Sequence, residues 1–440
     1  MKDQRWRLVG IVLWLVLLLP ACSKDAPTPL PGCENTPRPI VYVHGFLEAG
    51  DSFVNTAMRF TSNGYCPQYV RVFDWNTLIP NTEKNVERLA DFVQEVLDET
   101  GAKKVDLVGH SAGGSLSHQY LQEHVGDVAH YVHVASFCDV AFPDELPVLV
   151  LSSDEDPVVG VCNLAGADNQ DLDGADHLQA VTTPEAFAAM YRFFNAGQEP
   201  TKTRVVPEEA IALSGKVIQF GTNAPAGGSV VNVYPLDAAT GERLEATPAA
   251  SFTAGEEGAW GPFQADAAVH YEFEVTGENM RPFHYYRQPF LRSHVLVYLR
   301  VLPESDLLLN RLLQEMRYSD ESSTLVFFSA NRALYHGRDT ASVDGLELVT
   351  PEMAPSPPDS ASTIAVFVFD ADEDGQSDGG PVAGELAEFP FMSQYDAFLD
   401  ARVRRSMTLT LNGATLHVPA WKGESEGITV VVFDYDEDGL

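Results

Sequence analysis

The sequence predicts an α/β domain, in which helices cover both faces of a mostly parallel sheet, followed by all-β modules. Residues 40–43 (Ile-Val-Tyr-Val) form a continuous apolar run of the kind that is buried on both faces of a parallel sheet. Strand-like and helix-like segments then alternate as far as residue 200, which is typical of such a sheet. Beyond residue 200, helical periodicity almost disappears and short strand-like runs replace it.

The α/β part, residues 38–200, divides into strands and helices on local patterns. Apolar residues recur at helical spacing over 81–100, and Gly101 ends that helix. Pro184 lies in the first turn of a helix over 183–194, where proline is tolerated. A third helix is predicted over 111–124. The predicted strands are 40–43, 69–73, 105–108, 128–135 and 147–151.

The second half begins after a polar linker at 198–203. We expect a β domain over 205–302 and a second β module over 303–440. The second module contains a weak internal repeat, because residues 364–375 resemble residues 428–439. The strand-like runs of the β domain are 217–220, 229–234, 270–275 and 295–302.

The chain is strongly acidic. It has 440 residues, with 28 Lys and Arg against 63 Asp and Glu, which gives a formal net charge of −35. Acidic residues are spread over both halves rather than gathered in a tail. The field of such a protein repels phosphate, so we expect no nucleic-acid partner.

Residues 1–21 are typical of an export signal. Three basic residues precede an apolar run over 8–19 that is too short to span a membrane. The run ends in Leu19-Pro20-Ala21-Cys22, which resembles the bacterial lipobox, where the signal is cleaved before a cysteine that becomes lipidated. A plain secretory signal cut at the same bond is the alternative. We therefore expect a tether over 22–37 and a lipoprotein of the bacterial cell envelope, held on a membrane (the outer one favoured) through Cys22, or a secreted protein.

Four cysteines remain after Cys22, and an even number in an exported chain favours disulfides. They allow three pairings, of which sequence order within the predicted fold favours Cys33–Cys66 and Cys138–Cys162. Free buried thiols are the alternative.

Residues 105–114 contain the strongest chemical signal, a buried strand that runs into Gly-x-Ser-x-Gly and then into a helix. The two glycines permit a sharp turn that a Cβ would obstruct, and the turn lifts the hydroxyl of Ser111 above the sheet. The helix N-terminus adds N–H donors for a developing oxyanion. The pattern predicts that Ser111 is a nucleophile; an ordinary turn between a strand and a helix is the alternative.

A nucleophilic serine needs a histidine base, and His177 is the predicted one. It ends a loop rich in Gly and Asp, just before the last helix of the domain, where the loop can lower it onto Ser111. Four other histidines follow Ser111 on predicted helices or strands and are expected to be packed or solvent-facing: His118, His124, His130 and His133.

Three carboxylates compete to orient that base: Asp156, Asp154 and Asp139. The first two follow the strand 147–151 at the sheet edge where α/β folds place their ligands. Asp156 is favoured because Pro157 keeps the chain extended there, and because the D-x-x-V spacing resembles the acid loop of bacterial lipases.

The oxyanion hole is predicted from the turn His44-Gly45-Phe46, which directly follows the strand 40–43. One donor is the N–H of Phe46, and the second is the N–H of Ala112, the residue after the nucleophile. The alternative is a hairpin or loop with a buried His44.

Six stretches carry a wider resemblance: 41–45, 58–60, 63–65, 104–111, 184–187 and 283–287. With them the chain resembles archaeal-type lipases and carboxylesterases, in which an N-terminal α/β-hydrolase domain precedes a C-terminal β-barrel domain. The likeness covers roughly residues 38–300. It implies hydrolysis of acyl esters, with Ser111, His177, Phe46 and Ala112 in the matching roles.

Two features depart from that family. Ala135 stands where the archaeal lipase takes its acid, so Asp156 must serve instead. The long helical lid is missing, since residues 76–85 form only a short connection, and this argues against interfacial activation and a preference for long chains.

An acidic loop over 370–378 is a further candidate site. Asp370, Asp372 and Asp374 alternate before Gly375, as in the first half of a Ca²⁺ loop, but Pro381 stands where an EF-hand needs its bidentate Glu. Acidic turns at strand ends are common, so we assign no metal and leave calcium binding open.

Together these patterns predict an exported, lipid-anchored serine hydrolase that acts on an acyl ester or lipid and needs no cofactor. A depolymerase of extracellular polyesters on the same scaffold, and a surface adhesin without activity, are the alternatives.

Overall fold

The computed structural model describes residues 33, 36–79, 82–302, 316–382, 389 and 391–435. The predicted signal, Cys22 and most of the tether lie outside these residues, as does the end of the predicted repeat at 436–440. Within the described ranges, no helix combines the length and the apolarity needed to cross a membrane.

The first domain is built on a six-stranded sheet in which all neighbouring strands are parallel. Its strands are β1 (Ile40–Val43), β2 (Val70–Phe73), β3 (Val105–His110), β4 (Val128–Val134), β5 (Val148–Ser152) and β6 (Asp168–Asp171). They lie in the order β2-β1-β3-β4-β5-β6. The apolar run of β1 is buried along its whole length, whereas the polar β6 forms an edge.

Helices cover both faces of this sheet. They are α1 (Val54–Ser62), α2 (Thr82–Thr100), α3 (Ala112–His124), α4 (Gln179–Thr182) and α5 (Pro184–Phe194), with 3₁₀ turns at Gly50–Phe53, Pro67–Tyr69 and Val125–Asp127. Successive side chains of β1 point to opposite faces. Val41 and Val43 therefore pack with α2 and α3, while Ile40 and Tyr42 pack with α1 and α5.

Three of these elements were not expected from the sequence. β6 consists of four polar residues (Asp-Asn-Gln-Asp), so it shows no apolar run. α4 is a single turn. α1 is a nine-residue helix that is buried on nearly every side, and buried polar residues, Arg59 among them, stand between its apolar ones.

The second half of the described chain is all β. Its strands are β7 (Ala210–Gln219), β8 (Val230–Leu236), β9 (Ala250–Thr253), β10 (Ala259–Asp266), β11 (His270–Thr276), β12 (Phe283–Arg287), β13 (His294–Val301), β14 (Thr324–Ser329), β15 (Ala341–Val343), β16 (Leu346–Glu347), β17 (Ala365–Phe369), β18 (Met392–Asp396), β19 (Ser406–Leu411), β20 (Ala414–Pro419) and β21 (Ile428–Phe433). The predicted fold class, an α/β-hydrolase fold followed by β modules, is confirmed.

The β strands form three sheets, and the largest joins the two predicted β modules. Sheets of three and four strands have the orders β10-β7-β13 and β16-β15-β19-β20. The eight-stranded sheet has the order β18-β17-β14-β21-β12-β11-β8-β9. In it, β21 lies between β12 of the first module and β14 of the second, and it is parallel to both. The last described strand of the chain thus ties residues 205–302 to residues 316–435.

Ion pairs with largely buried carboxylates join the first domain to the β half of the chain, which we define as residues 205–435. In each of them, a carboxylate of the first domain meets a basic side chain of the β half; Arg300 is itself largely buried, whereas Lys216 and Arg338 are partly exposed. The pairs are Asp51–Arg300 at 2.5 Å, Asp74–Lys216 at 2.6 Å and Asp176–Arg338 at 3.0 Å.

In the structure, Cys33 is paired with Cys66, and Cys138 with Cys162, as disulfides. These are the two pairs that sequence order favours. The first links the segment before β1 to the loop before β2, and the second links the loops that follow β4 and β5.

Replacing Phe433 with Ala should lower the free energy of unfolding by about 3–5 kcal/mol, because this ring in β21 is fully buried. Its centroid lies 5.2 Å from that of Phe327 in β14. Because β21 also pairs with β12, hydrogen exchange should accelerate in peptides from both modules, which mass spectrometry can measure.

The control variant is Phe252→Ala, on the edge strand β9, which should accelerate exchange only near its own strand. If hydrogen exchange in the Phe433 variant accelerated only within residues 316–435, the two β modules would not unfold as one cooperative sheet, which would contradict this prediction.

Candidate active site

The turn from β3 into α3 holds Ser111 in a rare backbone conformation, with a φ angle of 52°. The neighbouring glycines are required by close packing. A Cβ on Gly109 would lie 2.8 Å from Cα of Gly114, and a Cβ on Gly113 would lie 2.1 Å from the carbonyl oxygen of Val43. The turn therefore presents Ser111 at the carboxyl end of the sheet, as the motif predicts.

Asp156 and His177 meet beyond the carboxyl ends of the strands. Nδ1 of His177 lies 2.8 Å from Oδ2 of Asp156, and both side chains are buried. The other oxygen of Asp156 accepts the N–H groups of Val158 at 2.8 Å and Val159 at 3.3 Å, so its own loop orients the carboxylate. Since the carboxylate accepts the proton on Nδ1, Nε2 is the basic nitrogen of His177.

The two alternative acids lie elsewhere. Asp154 and Asp139 are exposed, and among the described contacts neither side chain reaches His177. A single residue separates Asp154 from Asp156 in the chain, yet only Asp156 is buried.

Ser111 and His177 line the same pocket. Nε2 of His177 is buried and has no hydrogen-bond partner among the described residues. A nitrogen in that position can take a proton from a hydroxyl group in the pocket. The structure thus brings Ser111, His177 and Asp156 into one site.

The loop after β1 lies directly against Ser111. A Cβ on Gly45 would come within 3.0 Å of Cβ of Ser111. Phe46 lines the pocket, and its N–H makes no hydrogen bond to another described residue. Ala112 begins α3, where an N–H has no partner within the helix. Both residues predicted to supply oxyanion donors therefore flank Ser111.

His44 supports this loop from behind as a neutral, buried ring. Its Nε2 accepts the N–H of Trp75 at 3.2 Å and lies 3.2 Å from Nδ2 of Asn223, while Nδ1 lies 2.9 Å from the carbonyl oxygen of Gly45. Two donors at Nε2 place the ring proton on Nδ1. Burial lowers the pKa of His44, which favours the same neutral form. The Nδ2 group of Asn223, from the β domain, also donates to the carbonyl oxygen of Glu48 at 2.6 Å.

Glu48 and His110 connect the loop after β1 to the loop that carries His177. Oε2 of Glu48 accepts the N–H of Gly45 at 2.7 Å and lies 2.9 Å from Nδ1 of His110. Nε2 of His110 lies 3.0 Å from the carbonyl oxygen of His177. Both ring nitrogens of His110 face acceptors, so this ring carries two protons when Glu48 is ionised.

The pKa values of this pair move apart. Burial raises the pKa of Glu48, but the charge and hydrogen bond of His110 and the Gly45 N–H outweigh it and hold the pKa at about 2. Burial lowers the pKa of His110, but the charge and hydrogen bond of Glu48 outweigh it and raise the pKa above its usual value. Glu48 and His110 are therefore both charged, and form an ion pair, at pH values between the lowered pKa of Glu48 and the raised pKa of His110.

The second β module fixes the loop that carries His177. Oδ2 of the buried Asp176 accepts a guanidinium N–H of Arg338 at 3.0 Å and the backbone N–H of Ala333 at 3.2 Å. Oδ1 accepts the N–H of Leu178 at 3.0 Å. These bonds lie on both sides of His177 and restrict where its ring can be placed.

The β half also supplies most of the apolar wall of the pocket. Phe391 stacks on the ring of His177, with centroids 6.0 Å apart and planes inclined by 12°. The other apolar lining residues from this half are Phe220, Phe328, Ala330, Ile364, Ala365 and Met392. β2 ends at Phe73 and α2 begins at Thr82, so the apolar wall comes mainly from the β half and not from a long insertion between these two elements.

Sequence reasoning did not single out Glu48, His110, Asn223 or Arg338. His110 lies inside the Gly-x-Ser-x-Gly motif, and Glu48 lies three residues after Gly45, so their proximity to Ser111 offered a local signal. Asn223 and Arg338 offered none, because more than 100 residues separate them from the loops they hold.

The four other histidines occupy the helix and strand positions expected of them. His118 and His124 lie on α3, and His130 and His133 on β4. His130 lies 2.7 Å from Asp106, and none of the four lines the pocket with Ser111.

Comparison with protein families gives three matches along the chain. Residues 37–130 match the family model of class 2 lipases, and residues 209–303 match that of the lipase C-terminal domain. Residues 322–436 match a further model of a C-terminal domain. The first two matches support a lipase or esterase.

Among solved structures, the chain is similar to a carboxylesterase from Bacillus subtilis, with 14 % identity over 38 % of this chain and 86 % of that one, and a TM-score of 0.29. It is also similar to a bacterial membrane phospholipase A, with 14 % identity, coverages of 38 % and 80 %, and a TM-score of 0.30. A hydrolase from Thermoplasma acidophilum matches with 14 % identity, coverages of 37 % and 87 %, and a TM-score of 0.28.

Asp156→Asn should lower kcat for ester hydrolysis by about 10³–10⁴-fold, because an amide would favour the wrong tautomer of His177. Asp154→Asn is the matched control and should cost less than about tenfold, since Asp154 is exposed. Both variants should be assayed side by side, with circular dichroism to establish folding. The reverse ranking would move the acid to Asp154, and two mild effects would point to Asp139 or beyond.

Glu48→Gln should lower the melting temperature most between about pH 4.5 and 6.5. The contribution of Glu48 is present above its usual pKa of 4.5 and is lost as the pH falls towards about 2. The contribution of His110 is present below its usual pKa of 6.5 and is lost as the pH rises through its raised value.

The difference in melting temperature from the unmodified protein, measured by calorimetry across this pH range, should therefore shrink at both ends. Glu123→Gln, on the exposed face of α3, is the control and should give a small difference that does not vary with pH. A Glu48→Gln difference that is equally flat would show that the pair is not ionic.

Proposed function

We propose that the protein is a serine hydrolase of acyl esters, with Ser111 as nucleophile, His177 as base and Asp156 as the orienting acid. The observation that carries this proposal is the buried 2.8 Å contact between Asp156 and Nδ1 of His177, in a site whose pocket also contains Ser111. The match of residues 37–130 to class 2 lipases supports the same reaction class.

In the proposed reaction, Oγ of Ser111 attacks the ester carbonyl carbon while Nε2 of His177 takes the hydroxyl proton. The bond to the alcohol oxygen then breaks, and His177 returns the proton to that oxygen, which leaves an acyl-Ser111 intermediate. Water attacks this acyl carbon and gives a proton to His177. The bond from Ser111 to the acyl carbon breaks, Ser111 recovers the proton, and the carboxylic acid is released.

The proposed stabilising groups act on charge that develops during these steps. N–H groups of Phe46 and Ala112 bind the oxyanion, and each such donor typically contributes about 2.7–4 kcal/mol to lowering the barrier. Asp156 keeps the proton on Nδ1 and stabilises the imidazolium that forms at His177.

The substrate class that suits this pocket is an ester with an apolar acyl group. Phe391, Ile364 and Met392 give the acyl chain an apolar wall. The charged side chains that line the pocket are already paired within the protein, Glu48 with His110 and Asp51 with Arg300. A lipid or other acyl ester, rather than a charged or sugar ester, fits these contacts.

Ser111→Ala should abolish turnover of p-nitrophenyl esters and labelling by a fluorophosphonate probe, because the attacking oxygen is removed. Ser115→Ala, one turn further along α3, is the control and should keep both. Labelling that persists in the Ser111 variant would refute the assignment of the nucleophile.

We further propose that the protein is exported and attached to a membrane of the bacterial cell envelope through lipid on Cys22. The support is the lipobox-like sequence Leu19-Pro20-Ala21-Cys22. Each buried methylene of an acyl chain contributes about 0.8 kcal/mol to membrane binding, so several chains hold a protein firmly.

Cys22→Ser should therefore move the protein from the membrane fraction to the soluble fraction and end incorporation of labelled fatty acid. Ser23→Ala keeps the cysteine and should leave both unchanged. A Cys22 variant that stays membrane-bound would contradict attachment by lipid at this residue.

A further inference from the structure

The acidic loop after β17 meets a carboxylate from a neighbouring strand. β17 ends at Phe369, and β18 runs parallel beside it, with Phe369 paired to Asp396. Asp370, one residue past the end of β17, therefore comes close to Asp396, although 25 residues of chain separate them. The Ala371 N–H, between Asp370 and Asp372, donates to Oδ1 of Asp396 at 2.7 Å.

Three carboxylates converge at this point. Asp370, Asp372 and Asp396 each offer an oxygen, and the three oxygens lie within 4.8 Å of one another. Two ligands of one Ca²⁺ ion, each at 2.3–2.6 Å from it, can be at most about 5.2 Å apart. The spacing therefore allows all three oxygens to bind the same ion.

A buried oxygen without a partner gives an independent indication of a ligand. Asp370 exposes only 8 % of its surface, and its Oδ1 has no hydrogen-bond partner among the described residues. Oδ2 accepts the N–H of Gly375 at 3.2 Å. Leaving a buried carboxylate oxygen unpaired is costly unless a cation compensates it.

No basic side chain compensates this cluster. Within the described ranges, Asp370, Asp372 and Asp396 form no ion pair with Lys, Arg or His. Arg317 lies near the loop but pairs with Glu373, at 3.9 Å and with both side chains exposed. Burial raises the pKa of Asp370, and the charges of Asp396, Asp372 and Asp374 raise it further.

A second cluster of similar composition shows the contrast. Glu272, Glu274 and His284 also bring three ligand atoms together, but there the guanidinium of Arg243 binds both carboxylates, at 2.5 and 2.9 Å. That cluster is neutralised by the protein itself, whereas the one at Asp370 is not.

We propose that Asp370, Asp372 and Asp396 bind a Ca²⁺ ion. The ligands are hard oxygen donors, and Gly375, with a φ of +75°, takes the sixth position of the loop as in calcium loops. Asp396 supplies the carboxylate that an EF-hand loop would take from its twelfth position, where this chain has Pro381. The last carboxylate ligand therefore comes from the neighbouring strand β18 and not from the end of the loop itself.

The ion would fasten two strands that also wall the candidate active site. β17 and β18 carry the acidic groups at their carboxyl ends, while Ala365 and Met392, at their first positions, line the pocket with Ser111. Calcium binding thereby holds the two strands of this wall side by side.

The test is a calorimetric titration of the purified protein with CaCl₂ after removal of metal with EDTA. We expect one Ca²⁺ per chain, with Kd within about 10⁻⁷–10⁻³ M, and a higher melting temperature in calcium. Asp396→Asn should weaken binding by about tenfold or more and remove the increase in melting temperature.

Two further variants keep the result interpretable. If the Asp396 variant does not fold, Asp372→Asn replaces it in the test, because Asp372 is exposed and its substitution should not affect folding. This variant should weaken calcium binding as well. Asp359→Asn, an exposed aspartate of the same module, should bind calcium like the unmodified protein. Absence of binding up to about 5 mM CaCl₂, beyond the range of known protein sites, would overturn the proposal. So would unchanged affinity in both the Asp372 and Asp396 variants.

Discussion

The close contact between the first turn of α3 and the end of β1 is the constraint on which the candidate site depends. Gly113 lies so near the carbonyl oxygen of Val43 that a Cβ would approach it to 2.1 Å. This packing brings the helix N-terminus, and with it the N–H of Ala112, against the loop that carries Phe46. It also explains the strained backbone of Ser111, because the chain must reverse between β3 and α3 within one residue. A larger residue at position 113 would separate Ser111 from the loop that carries Phe46.

The loops around this contact are held from outside by the β half of the chain. Asn223 binds the backbone of the oxyanion loop, Arg338 binds the residue before His177, and Phe391 covers the imidazole ring. These three residues come from separate segments, but the eight-stranded sheet unites their modules through β21. The β half is therefore part of the candidate site, and a first domain isolated at residue 200 would lose the partners of both loops.

The sequence predicted those parts of the structure that depend on local pattern. Ser111 follows a buried strand, His177 precedes a helix, and Pro157 favours an extended chain at Asp156 but not at Asp154, so neighbouring residues were sufficient to single them out. The apolar β strands were visible for the same reason, but their pairing was not. Nothing local in residues 428–433 indicates that they insert between β12 and β14. Asn223 and Arg338 act across the domain boundary, where a single polar residue on a β module has no periodicity to reveal its partner.

Charge is distributed unevenly across the domain boundary: the first domain supplies the acidic members of its ion pairs, and the β half supplies the basic ones. The chain has 63 acidic residues and only 28 Lys and Arg, yet at this boundary Lys216, Arg300 and Arg338 of the β half each meet a carboxylate of the first domain. Removing one member of a buried pair such as Asp51–Arg300 leaves an unpaired charge, which typically costs about 3–5 kcal/mol. Buried pairs are also screened much less by salt than exposed charges. The buried Asp51–Arg300 pair therefore holds the boundary over a range of ionic strength in which the repulsion among the exposed carboxylates changes strongly.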